Sequence, residues 1–202
     1  MKALKYDRLN SILFVLFVFL FSSNLIAQIW TEEQLRLANT AKDADITQVE
    51  KDAILYINLA RLYPKLFLTI EVENYFGTER FVDYVKNSPY KKSLIKTLTS
   101  MKALDALMFD IKLNEDAKCF SKESGEKGIV GHTRKICKEG NYAECCSYGM
   151  TTGKDIAMSW LIDFNTQSLG HRKICLNPKY SKIGLSVHDH KKWEICAVAE
   201  FI

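Results

Sequence analysis

The hydrophobic period of this chain changes once along its length, and that switch limits the folds open to it. Ile46, Val49, Ala53, Ile54, Ile57 and Leu62 recur at three- and four-residue steps, the stripe of an amphipathic helix. Thr47 and Glu50 have the spacing of a capping box, and Pro64 bounds the far end. In the last part of the chain, Lys182–His188 and Trp193–Phe201 alternate or run apolar at strand length on either side of a polar turn. Helices come first and an antiparallel hairpin last, which predicts an α+β chain built in layers.

Between these ends, Ser93–Leu104 and Lys154–Ile162 read as further helices, and Asn114 as the cap of another running to about Lys122. Trp30–Ala44 has no strong apolar face and predicts a loose arm or a short packed helix. Glycines at 125, 128, 131, 140 and 149 predict a loop-rich centre. With 48% hydrophobic residues and only 9 Gly and 3 Pro, the chain is neither disordered nor collagen-like. No repeat or long linker divides it, so the expected organisation is an arm over 28–45 and one domain over 46–202.

The first 27 residues form a separate unit. Lys2, Lys5 and Arg8 precede an apolar run from Ile12 to Phe21, and Ala27 offers a cleavage point before Gln28. The run falls short of the roughly 20 residues that a spanning helix needs. The reading is therefore a secretory signal, a secreted or periplasmic product and no stable membrane span after cleavage. The segment holds three of the 28 Lys and Arg and one of the 24 Asp and Glu, so the remainder carries +2 instead of +4. Lys91-Lys92 and Lys191-Lys192 are isolated pairs and not a basic stripe, so nucleic acid is not an expected partner.

All six cysteines, Cys119, Cys137, Cys145, Cys146, Cys175 and Cys196, follow that segment. An even count behind a secretory signal favours disulfides, and the C-x-x-C spacing usual in cysteine zinc sites is missing. A bond between neighbours Cys145 and Cys146 would strain the disulfide dihedral. The expected pairing joins Cys175 to Cys196. The rest then pair as Cys119–Cys145 with Cys137–Cys146, or as Cys119–Cys146 with Cys137–Cys145.

Chemistry concentrates in Gly131-His132-Thr133, in the segment around Glu144, and in Gly170-His171-Arg172. Two imidazoles with a carboxylate can hold zinc or another divalent cation and leave a position open for water or substrate. His132 and His171 are the candidate metal ligands, expected to converge with Glu144 in one cleft. Asn58 and Arg61, one helical turn apart, read as structural hydrogen-bonders, and Trp160 as core. His188 and His190 border a turn and are expected in solvent.

Read in order, Asn58-Leu-Ala-Arg61, Gly131-His132, Glu144, Trp160, Gly170-His171-Arg172 with Asn177-Pro178, Ile183-Gly184-Leu185 and Ala199-Glu200-Phe201 resemble the CAP superfamily. That superfamily, also called the SCP-like extracellular domain, comprises cysteine-rich secretory proteins, antigen 5 and pathogenesis-related proteins. The chain looks most like its secreted bacterial members, and the likeness spans about residues 46–201. It implies an α-β-α sandwich with a small antiparallel sheet between helical layers. It also implies a cleft lined by His132, His171, Glu144 and a second acid. Asp163, a shorter side chain three residues after Trp160, stands near where the family has that second acid, usually a Glu, and is the fourth candidate cleft residue.

The resemblance favours a binding module that takes a divalent metal or a small apolar ligand such as a lipid or sterol. The alternative is a metal-dependent hydrolase in which His132 and His171 hold the cation and Glu144 is the general base. Cys145 and Ser168 are weaker nucleophile candidates, because no G-x-S-x-G elbow occurs.

Overall fold

A computed structural model describes residues 29–79, 85–86 and 88–202. The expected signal segment, 1–27, lies outside the described residues. Helix α1, Glu32–Ala38, opens with a Thr31 capping box and buries Ala38, so the leader is the short packed helix of the two forms expected. Helix α2, Gln48–Leu62, starts at the Thr47–Glu50 capping box and stops before Pro64, which begins the short α3, Pro64–Phe67. A π-helical turn, Leu68–Val72, continues from it.

Helix α4 spans Pro89–Ser100, earlier than the sequence pattern predicts. Ser88 accepts from the Tyr90 N–H, and Pro89 occupies a first-turn position that needs no N–H donor. Helix α5, Ile111–Lys127, is capped by Asp110, whose carboxylate accepts from the Lys112 and Leu113 N–H groups. Asn114, expected as the cap, lies inside α5 and donates to the Leu185 carbonyl at 2.7 Å, which fastens the helix to the sheet.

The sheet holds β1 (Met108–Phe109), β2 (Ala143–Tyr148), β3 (Lys182–His190) and β4 (Glu194–Phe201) in the order β1-β3-β4-β2. β3 and β4 are the expected hairpin, and β2 pairs antiparallel with β4. The three long strands form the small antiparallel sheet that the resemblance implied, and the two-residue β1 adds to it in parallel with β3. β2 lies in the stretch that reads as loop. Ala-Glu-Cys-Cys-Ser-Tyr has no β-branched residue, and tertiary pairing with β4 overrides its weak propensity.

Helices cover both faces of the sheet, giving three layers. Cys145, Leu185, Ala197, Ala199 and Phe201 join the large core with α2, α6 (Gly153–Ile162) and α7 (Gly170–Cys175). On the opposite face Cys146 and Val198 pack on Ala117 and Phe120 of α5. Close approach there depends on Gly184, where a Cβ would lie 2.0 Å from the Asn114 nitrogen.

Buried polar side chains connect the layers. Asn58 donates to the carbonyls of Ala38 and Leu107 and accepts from the Leu107 N–H. Arg61 donates to the carbonyls of Asp105, Cys175, Asn177 and Tyr180. Both are structural hydrogen-bonders, and Trp160 is core. His190, expected in solvent, is buried. Its Nε2 donates to the Ile129 carbonyl, and its Nδ1 accepts from the Lys192 and Trp193 N–H groups, closing the hairpin turn.

Candidate functional site

β2 is an edge strand, and its alternation divides the site. Glu144, Cys146 and Tyr148 share the α5 face, while Cys145 and Ser147 point towards α6 and α7. The 129–142 connection lies over the α5 side and brings His132 to the strand. Gly131 turns it at φ +94°, a region that favours glycine, and the Gly131 N–H donates to the Tyr148 hydroxyl at 3.0 Å. Farther along, the buried Glu123 carboxylate of α5 accepts from the N–H groups of Lys135, Ile136 and Cys137. Burial pushes the Glu123 pKa up, but those bonds and Lys127 outweigh it and hold it at about 2.

One disulfide, Cys119–Cys137, joins α5 to the end of the same loop. Cys145, Cys146, Cys175 and Cys196 are free, buried thiols. This overturns the expected pairings, for a reason of topology. The Cys196 thiol donates to the Ser121 carbonyl on the α5 side, whereas Cys175 belongs to the core on the other side, so the sheet separates them. Cys145 faces away from α5, and the loop carries Cys137 to Cys119 instead of to Cys146.

His132, Glu144 and Cys146 place their ligand atoms within 4.8 Å of one another. His132 Nδ1 is 2.7 Å from Glu144 Oε1, and the Cys146 sulfur is 3.7 Å from both. Two tetrahedral ligands around a zinc-sized ion sit roughly 3.3–3.6 Å apart. The sulfur is near that spacing, and the His132–Glu144 pair would have to open slightly to admit an ion. This set, one nitrogen, one oxygen and one sulfur, is able to coordinate a divalent metal.

Glu144 has a second partner. The Arg134 guanidinium contacts its other oxygen, reaches Glu200 Oε1 at 2.8 Å and lies 4.1 Å over the Phe120 ring. Burial pushes Glu144 up, but hydrogen bonds from His132 and Arg134 outweigh it and hold the carboxyl below its usual range. Glu144 in turn raises the His132 pKa through their hydrogen bond. Burial raises Glu200 to about 8 and pushes the Cys146 thiol up as well.

The other sequence-predicted residues form a second pair. Asp163 ends α6 in the left-handed region at φ 57°, which turns its side chain back towards α7. There Oδ1 accepts from His171 Nδ1 at 2.8 Å, and Oδ2 accepts from the Arg172 N–H. The left-handed turn brings the shorter Asp163 side chain to the His171 imidazole. Burial raises the Asp163 pKa, and the hydrogen bond from His171 outweighs this. Among the described residues His171 is not part of the metal-capable set, whose third ligand is Cys146.

A cavity of about 310 Å³ lies beside the Asp163–His171 pair, with apolar walls that include Val130, Met150, Met158 and Trp193. Cys146, Asp163 and His171 border it, so Cys146 links the metal-capable set to the cavity and to the second pair. The ligand role of Cys146, the Arg134–Glu200 pair and the anchoring by Glu123 are absent from the sequence reading. Recognising 143–148 as a strand would have placed Glu144 and Cys146 on one face.

No family model matches the chain, and neither does any curated protein. Among solved structures it is similar to an outer surface protein from Borrelia burgdorferi, with 21% identity and a TM-score of 0.40 over 55% of this chain and 86% of that one.

Proposed function

We propose that this chain is a secreted CAP-type binding module that holds a divalent metal, zinc by its donor chemistry, on His132, Glu144 and Cys146 beside an apolar ligand cavity. The observation that carries the metal reading is the convergence of three ligand atoms within 4.8 Å. Imidazole, carboxylate and thiolate together suit a borderline-soft cation better than magnesium or calcium. Support for the CAP assignment comes from the ordered residues that resemble the family and from a sheet between helical layers. The cavity, mostly apolar with a few polar groups at one wall, suits a small lipid-like molecule. No single helix among the described residues is long and apolar enough to cross a membrane.

The same geometry favours binding over hydrolysis. Arg134 and His132 hold Glu144 as a stabilised anion, which makes it a poor general base. Titrating zinc into the metal-free full-length chain by calorimetry tests the reading, with magnesium as the contrast. One saturable zinc site, lost in His132→Ala, Glu144→Gln and Cys146→Ser, is the expected result. Zinc binding that survives both His132→Ala and Cys146→Ser would overturn it.

A further inference from the structure

Two buried thiols meet on the face of β2 that the proposed metal site does not use. Cys145 and Cys175 are both fully buried in the same core, one on β2 and the other at the end of α7. The Cys145 thiol lies 3.9 Å from the carbonyl of His171, one helical turn before Cys175, and both cysteines belong to the same buried core where α7 meets β2. The chain already carries a Cys119–Cys137 disulfide, the mark of an oxidising surrounding.

We propose that Cys145 and Cys175 form a second disulfide, which fixes α7 to β2 and so sets the His171–Asp163 pair at a constant position beside the cavity. A disulfide oxidant such as oxidised glutathione supplies the chemistry by exchange. One cysteine sulfur, as thiolate, attacks the oxidant and expels one thiolate. The second cysteine then attacks the mixed disulfide and expels the other. The S–S bond of the oxidant breaks, the Cys145–Cys175 bond forms, the protein loses two electrons and two protons, and the oxidant leaves as two thiols. Cys146 and Cys196 stay reduced: Cys146 sits among His132 and Glu144, and Cys196 donates to the Ser121 carbonyl on the opposite face of the sheet.

The bond encloses the stretch that carries α6, Asp163 and His171, so its first effect is on that segment. Asp163, Asn165 and Leu169 all have positive φ, and holding the strand and α7 together keeps this strained connection in place.

Refolding the reduced, denatured full-length chain in a glutathione redox buffer gives the oxidant access to sulfurs that are buried afterwards. The expected product has two free thiols when counted in denaturant, and non-reducing peptide mapping links Cys145 to Cys175. A Cys146→Ser variant removes the ambiguity of adjacent cysteines and keeps the same link. In Cys175→Ser the link disappears and Cys145 titrates as free. Native-state proteolysis between residues 163 and 170 is expected to accelerate at least several-fold in the Cys145→Ala/Cys175→Ala pair, which retains the apolar packing. A refolded chain that forms Cys119–Cys137 yet leaves Cys145 and Cys175 free overturns the proposal. So does a chain that links either of them to Cys146 or Cys196.

Discussion

On one face of β2 three ionisable groups, Glu144, Arg134 and Glu200, are buried in contact. On the other, the buried polar groups include thiols, the Ser147 and Ser159 hydroxyls, one acid–imidazole pair and Arg172, whose guanidinium donates to main-chain carbonyls. Both faces belong to the same six residues. The difference shows where compensation comes from when a strand buries ionisable side chains. The α5 face imports its counter-charge from a loop, and that loop needs a disulfide, a carboxylate and a tyrosine to hold it. The α7 face has a buried arginine of its own, Arg172, but its guanidinium is taken up by the Leu161, Ile162 and Tyr90 carbonyls and the Ser93 hydroxyl, and only its backbone N–H donates to Asp163. The pair relies on backbone strain instead, with Asp163 left-handed so that its carboxylate meets His171.

If the charge on the α5 face is compensated by Arg134, removing that side chain has the largest effect. Arg134→Met leaves Glu144 and Glu200, directly paired across β2 and β4, without their shared cation. The expected cost is about 3–5 kcal/mol, the usual result of breaking a buried ion pair from one side. Urea unfolding at neutral pH measures it, and a loss below about 1 kcal/mol would show that water enters to solvate the acids.

Unfastening the loop comes next. Cys119→Ser/Cys137→Ser is expected to lower stability by about 2–4 kcal/mol and to weaken zinc binding, because His132 rides on the released segment. Unchanged zinc affinity would mean that Glu123 and Tyr148 alone position the imidazole.

On the α7 face the expected loss is smaller. Asp163→Asn keeps a residue that tolerates the left-handed turn and gives up only the charged hydrogen bond, about 1.5–3 kcal/mol. Zinc affinity should stay at the wild-type value, since His171 and Asp163 lie outside the ligand set. A parallel loss of zinc binding would join the two faces into one site.

The smallest effect belongs to Glu200→Gln, and its sign depends on pH. Burial raises Glu200 to about 8, so the folded state favours the protonated acid. Its contribution to stability is fully present below the ordinary carboxyl value of about 4.5 and is lost as pH rises through about 8. Near pH 4.5 the variant should unfold at nearly the wild-type denaturant midpoint, and from there to about pH 8 it should become progressively the more stable of the two. Parallel pH profiles for wild type and variant would place Glu200 as a full anion in the fold.

His132, Glu144, Asp163 and His171 stand out in the sequence, because polar imidazoles and acids beside glycines are conspicuous in an apolar chain. Their partnerships do not. Arg134 lies in a stretch of lysines and glycines that carries no hydrophobic period, and Glu200 reads as one more alternating polar position in a terminal strand. The error over the sulfurs has the same origin. Sequence spacing gives the length of the loop a bond would close, but not which side of a sheet each thiol faces.

Local pattern determined the capping box at Thr47, helix α2, the stop at Pro64 and the β3–β4 hairpin, since each depends on residues a few positions apart. The tertiary structure decided what needs distant segments to meet. β2 became a strand by pairing with β4, and the 129–142 connection became a site by crossing that strand. Cys146 became a metal-capable ligand because alternation turned it to the same side as Glu144. Such contacts cost chain entropy that no local signal records, and they form only when the packing of the whole domain offsets it.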